Sequence, residues 1–146
     1  MRAADDQEGL AELLPRSHSF EAGDLVKVTL TLKVSHTGHY IVVNDPIPAG
    51  LEVVDPSLKG AAVGQAAFVG HTGRLWRDFQ HVELRDDRVL LFADRLKRGT
   101  YTFSYVARAT QAGRFVRAAA TVEEMYQPQR AGRADGGLLW IRPRRE

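Results

Sequence analysis

Five histidines, His18, His36, His39, His71 and His81, are the residues best suited to hold a metal or move a proton. His36 and His39 stand three apart in the turn-forming run His36-Thr37-Gly38-His39, a spacing that could open a zinc site. Such a site needs a third ligand and a supporting layer of hydrogen bonds, and nothing nearby supplies them. The spacing therefore predicts two solvent-facing turn histidines. The chain has no cysteine, which removes disulfides, thiolate metal sites and a cysteine nucleophile. Carboxylates occur as adjacent pairs at Asp5/Asp6, Asp86/Asp87 and Glu123/Glu124. A glycosidase needs two carboxylates that converge across a cleft. Neighbours on a strand point to opposite faces, so none of these pairs predicts a dyad. No serine sits in a Gly-x-Ser-x-Gly elbow, and no glycine loop leads into a helix to cradle phosphate. These residue types predict a protein that is not an enzyme, needs no cofactor and holds no metal.

The scaffold must come from 146 residues, 44% hydrophobic and 26% charged, the composition of an ordinary globular domain. A domain of this size removes roughly two-thirds of its unfolded surface from water, so it needs no covalent staples. The net charge is only +2, and the one basic cluster, Arg142, Arg144 and Arg145, is terminal. A nucleic-acid binder concentrates its basic residues on one face, so a solvated basic tail over residues 144–146 is expected and no nucleic-acid partner. No apolar run approaches the ~20 residues of a membrane-spanning helix. Residues 1–8 are polar and acidic and form no apolar leader core, so no signal peptide is expected. A cytoplasmic product and a piece of a longer exported protein both fit.

Along the chain, residues 1–19 read as a linker or N-terminal arm, because Pro15 stops any helix begun by Leu10, Leu13 and Leu14. Residues 20–143 read as a single β-sandwich domain. Val26, Val28, Leu30, Leu32 and Val34 alternate with Lys27, Thr29, Thr31 and Lys33, a period of two that predicts a strand over 25–34. Short strands are expected at 40–43 and 51–54. Between them Asp45-Pro46-Ile47-Pro48-Ala49-Gly50 must be a corner, since two prolines cannot both lie in a central strand. Residues 55–80, with Gly60, Gly64, Gly70 and Gly73, read as a long loop anchored by Trp76 and Phe79. A hairpin is expected at 81–84 and 89–92 around Asp86 and Asp87. Strands follow at 101–109, with Tyr101, Phe103, Tyr105, Ala107 and Ala109 on one face, and at 114–122. A polar stretch over 127–137 precedes a last strand at 138–142. No helix is predicted. Seven to nine short strands between Gly, Pro and Asp turns predict an all-β fold, an antiparallel β-sandwich of immunoglobulin type. Val26, Val28, Leu30, Leu32, Tyr101, Phe103, Tyr105 and Trp76 are expected inside.

Several ordered motifs carry a further likeness. They are Arg85-Asp86-Asp87-Arg88-Val89, Gly99-x-Tyr101-x-Phe103-x-Tyr105-x-x-Arg108-Ala109, Gly113-x-Phe115 and Val122-Glu123-x-Met125-Tyr126-x-Pro128. With Gly23-Asp24-Leu25-Val26 and the Asp45–Leu51 run, this stretch of roughly residues 20–132 resembles the C-terminal macroglobulin-like domain of bacterial alpha-2-macroglobulins. The resemblance implies a macroglobulin-like sandwich and a place in a large protease trap of the periplasm or cell envelope. It also implies a locking loop at Met125, Tyr126 and Pro128, whose tyrosine packs over a thioester in another domain. The implied partners are that thioester and the neighbouring macroglobulin domains, and target proteases only indirectly. Physically the residues suit that work. Tyrosine joins a water-excluding ring to one hydroxyl, proline stiffens the backbone that presents it, and desolvation slows hydrolysis of an acyl bond. With no cysteine, the thioester itself must lie elsewhere, and the domain alone would not inhibit a protease. Where the family often has prolines before the Val-Glu pair, this chain has Ala118-Ala119-Ala120. The Asp-Pro-x-Pro-Ala-Gly-Leu segment also resembles immunoglobulin-like repeats of bacterial surface proteins, which implies a stalk or adhesion module instead.

Overall fold

Strong alternation between apolar and polar residues produces two long central strands, and the rest of the chain is arranged around them. A computed structural model describes residues 2–7, 17–54, 79 and 81–145. Twelve strands form among the described residues, and no helix. In chain order they are β1 (Arg2–Gln7), β2 (Ser17–Glu21), β3 (Leu25–Val34), β4 (Gly38–Pro46), β5 (Leu51–Val53) and β6 (His81–Leu84). Then follow β7 (Arg88–Leu96), β8 (Gly99–Ala109), β9 (Gly113–Arg117), β10 (Thr121–Glu124), β11 (Gln127–Arg133) and β12 (Gly137–Arg142).

They make three sheets, ordered β1-β3-β8-β5, β11-β10-β4-β7-β6 and β2-β12-β9. All pairings are antiparallel except β2 with β12, which is parallel. β3 and β8 pair along their whole length, from Leu25 opposite Arg108 to Val34 opposite Gly99. Every second residue of β3, Val26 to Val34, is buried, and so are Phe103, Tyr105, Ala107 and Ala109 of β8. The second sheet answers with Ile41, Val43, Val89, Leu91, Ala93 and Val122, and the third adds Leu139 and Ile141. Each fully buried Val, Leu, Ile or Phe contributes roughly 1.5–3 kcal/mol by leaving water. That shared interior is what the period of two encodes.

The expected hairpin forms. β6 and β7 meet around Asp86 and Asp87, closed by Arg85 N–H donating to Arg88 O at 2.9 Å. The proline corner forms too: β4 of the second sheet ends at Pro46, and β5 of the first begins at Leu51. The turn between them is held by Leu51 N–H on Pro48 O, 3.0 Å, and by Ile47 N–H on Asp87 O, 2.8 Å.

Elsewhere the segmentation is finer than the seven to nine strands expected. Within residues 1–19, read as a linker or arm, residues 2–7 form β1, which pairs with β3, and Ser17 opens β2, which runs on to Glu21 beside β12. The strand expected over 114–122 is broken. β9 stops at Arg117 in the third sheet and β10 starts at Thr121 in the second. Ala118-Ala119-Ala120 carry the crossing, where small side chains fit: Ala119 and Ala120 are buried, and Ala134 N–H bonds Ala120 O at 2.9 Å. The polar stretch at 127–137 contains β11, an edge strand exposed almost throughout. Arg144, expected in a solvated tail, pins the turn before β3, donating to Ala22 O (2.8 Å) and Asp24 Oδ1 (3.1 Å). Of the residues that were to anchor the long loop, Phe79 is buried, while Trp76 and the rest of residues 55–78 lie outside the described residues.

Candidate functional site

β10 and β11 form a hairpin whose two-residue tip is Met125 and Tyr126, since Glu124 faces Gln127 across the ladder. The preceding pair is Glu123 with Ala131, so Pro128, Gln129 and Arg130 bulge out of register on β11. A proline is tolerated there because a bulged edge position requires no donated N–H. Tyr126 is 78% exposed and Met125 42%. The three residues singled out in the sequence therefore share one projecting structure: Met125 and Tyr126 at its tip, and Pro128 in the bulge that shapes its outer arm.

The base of the hairpin is tied to β4. Met125 N–H donates to Tyr40 O (2.8 Å), extending the β10–β4 ladder by one bond. The Glu124 carboxylate accepts from the His39 backbone N–H through Oε1 (2.8 Å), and Arg130 Nη1 lies 3.3 Å from its Oε2. Glu124 is only 3% exposed, whereas its neighbour Glu123 faces solvent, as adjacent strand residues must. Ser35, His36, Glu124, Gln129, Arg130 and Ala131 line a cleft of about 280 Å³ beside this base.

Tyr40 is the functional candidate that sequence reasoning missed. Its φ is 52°, the left-handed region, and no other non-glycine residue among those described has a positive φ. The kink resets the strand's phase. Ile41, Val43 and Asp45 are buried in alternation, but His39, which should follow them inward, is exposed, and Gly38 is buried instead. The half-exposed Tyr40 ring meets the Tyr126 ring edge to face, with centroids 5.2 Å apart and planes at 87°. Met125, Tyr126 and Tyr40 thus form one apolar, aromatic prominence. The only hint in the sequence was an aromatic residue directly after Gly38-His39.

His36 and His39 face solvent, as their turn spacing predicted, and the His36 Nδ1 sits 3.1 Å from Ser35 Oγ. Among the described residues no three His, Asp or Glu side chains cluster to hold a metal ion. One buried acid sits apart from the hairpin. Asp45 of β4 accepts a hydrogen bond from the Tyr105 hydroxyl of β8, joining two sheets through the core. Burial pushes the Asp45 carboxyl up to about 6, and the Tyr105 bond opposes that only in part. Burial and the adjacent carboxyl push the Tyr105 phenol well above its ordinary value. A second exposed apolar face lies on the third sheet: Val116, Leu138 and Trp140, with the Arg114 guanidinium 5.2 Å over the indole.

Sheets packed face to face, with a rigidly based hairpin projecting from one edge, define a β-sandwich of the immunoglobulin and macroglobulin type. A family model described as the bacterial alpha-2-macroglobulin MG10 domain matches residues 2–129, and the chain belongs to that family. It is 34% identical over 131 residues to the alpha-2-macroglobulin of Escherichia coli, covering 86% of this chain and 8% of that protein. It is 31% identical over 111 residues to an alpha-2-macroglobulin homolog of Nostoc, covering 76% of this chain and 6% of that protein. Among solved structures, native Escherichia coli alpha-2-macroglobulin from domain MG7 to the C-terminus superposes with a TM-score of 0.74 at 28% identity. The match covers 97% of this chain and 23% of that one. The chain therefore spans less than a tenth of the length of these curated relatives.

Proposed function

We propose that this chain serves as a non-catalytic domain of an alpha-2-macroglobulin-type protease trap in the periplasm or cell envelope. In that setting the Met125–Tyr126 tip covers a thioester held by another domain and keeps water from it until a protease cleaves the trap. The observation that carries this is the tip itself: a tyrosine 78% exposed beside a half-exposed methionine, on a hairpin whose base is fixed by Glu124, Tyr40 and Arg130. A ring presented to solvent from a fixed base contributes little to its own domain and suits contact with a partner. The hydroxyl is left at the outer end, where it can orient a polar group while the ring excludes water. Neighbouring macroglobulin domains are the direct partners, and target proteases are met only through the assembled trap.

A photo-crosslinking amino acid at position 126 of the full-length protein tests the proposal. The expected crosslink runs to the thioester-bearing domain in the uncleaved protein and disappears after protease treatment. A crosslink that is absent before cleavage, or that persists unchanged after it, contradicts the proposal.

A further inference from the structure

We infer that Tyr40 is a positioning residue for Tyr126, and that the shielding element is a pair of tyrosines on two strands rather than the hairpin tip alone. This inference rests on the shielding role proposed above. Three observations support it. First, Tyr40 occupies the left-handed region at φ 52°, a conformation that a bulky side chain resists and glycine accepts freely. Such outliers persist where the surroundings hold them for a purpose. Second, Tyr40 does not repay the strain by filling the core, since its side chain is half exposed. Third, two of its contacts serve the hairpin: the carbonyl accepts from Met125 N–H, and the ring meets Tyr126 edge to face.

Glu124 completes the arrangement from below. Its buried carboxylate accepts the His39 N–H directly before the kink, while the same residue ends β10 directly before the tip. One side chain therefore fixes both the left-handed residue and the hairpin it supports. Without the Tyr40 ring, the Tyr126 side chain, 78% exposed, would sample several χ1 rotamers, as exposed side chains do. With it, one rotamer is favoured and the ring is presented in a single direction.

The test separates ring from backbone. Tyr40→Gly keeps the left-handed turn and removes the ring, Tyr40→Phe keeps the ring, and Tyr40→Asn is a second ring-less variant with a residue that tolerates this conformation. Two-dimensional NMR of the chain reads ring-to-ring cross-peaks and the χ1 couplings of Tyr126. The expected result is one dominant Tyr126 rotamer in the parent and in Tyr40→Phe. In Tyr40→Gly and Tyr40→Asn the preference for that rotamer falls roughly three- to tenfold, with the melting temperature of the glycine variant no lower than that of the parent. Tyr126 keeping a single rotamer in both ring-less variants overturns the inference.

Amine consumption of the thioester in the full-length protein keeps the two claims apart. Faster consumption in Tyr126→Ala and, to a smaller degree, in Tyr40→Gly, with Tyr40→Phe restoring protection, supports both. Loss of protection in Tyr126→Ala alone refutes the role of Tyr40 and leaves the shielding role standing. Loosened Tyr126 rotamers with unchanged amine consumption in every variant refutes the shielding role and leaves the positioning role standing.

Discussion

Replacing Asp45 by asparagine should make the domain's stability less sensitive to pH, with a predictable sign. Asp45 lies between the two main sheets, 3% exposed, bonded to the equally buried Tyr105. Burial raises its carboxyl from 3.8 to about 6. The folded state therefore holds the proton more tightly than the unfolded chain does. At pH ~3 and below the group is almost wholly neutral in both states and its contribution to stability is fully present. As pH rises through about 6 the buried carboxylate must ionise, and that contribution is lost. A shift of about two units at 1.36 kcal/mol each gives ~3 kcal/mol in all, of which ~2.5 kcal/mol is lost between pH 4 and pH 8. Asparagine matches the shape and can still accept from Tyr105, but never ionises. Urea denaturation of both proteins across that range measures the effect. The stability of Asp45→Asn relative to the parent should rise by ~2.5 kcal/mol from pH 4 to pH 8, most steeply near pH 5, midway between the two values, and level off above pH 7. Other titrating groups cancel in the difference. A difference that stays flat with pH refutes the reasoning, because the carboxyl would then have to be solvated or otherwise compensated in the fold.

Other outcomes follow from burial and bonding. Phe103→Ala opens a cavity beside Tyr105 in the core and should cost about 3–5 kcal/mol in denaturant unfolding. Tyr126→Ala removes a ring that is 78% exposed and, apart from its edge-to-face contact with Tyr40, makes little packing, so it should change the stability of the isolated chain by no more than about 1 kcal/mol, read as a small shift in melting temperature. Glu124→Ala removes the acceptor for His39 N–H and leaves Arg130 without its carboxylate, at a cost of about 1–3 kcal/mol. Hydrogen exchange at the His39 amide should quicken in that variant more than at the paired Val43 amide.

What the sequence revealed depended on how strongly one neighbour determined each residue. Val26 to Val34 and Phe103 to Ala109 face a single dry interior, so their alternation was legible and their strands form where expected. The Asp86-Asp87 turn and the Pro46–Pro48 corner were legible because their backbone chemistry is local. β11 was not: at the sheet edge both of its faces meet water, and the polar run that blunts an edge looks the same as a loop. The break at Ala118–Ala120 was hidden because the residues on either side keep strand-like patterns while their partners change from β12 to β4. At the candidate site, Met125, Tyr126 and Pro128 were found by motif. Their supports were not, since Glu124 is buried by a contact 85 residues away in sequence and Tyr40's handedness leaves no mark in composition. Asp45 was visible only as part of a proline turn, and its bond to Tyr105 spans 60 residues.

The shielding role is tested most directly by the rate at which a small amine consumes the thioester of the full-length, uncleaved protein. With Tyr126 in place the rate should be low and should rise sharply after protease cleavage. Tyr126→Ala should raise the rate in the uncleaved protein by at least about tenfold, the loss of roughly 1.4 kcal/mol of protection, with the fold of this domain intact. Equal rates in the parent and in Tyr126→Ala, both low before cleavage and both high after it, would contradict the account.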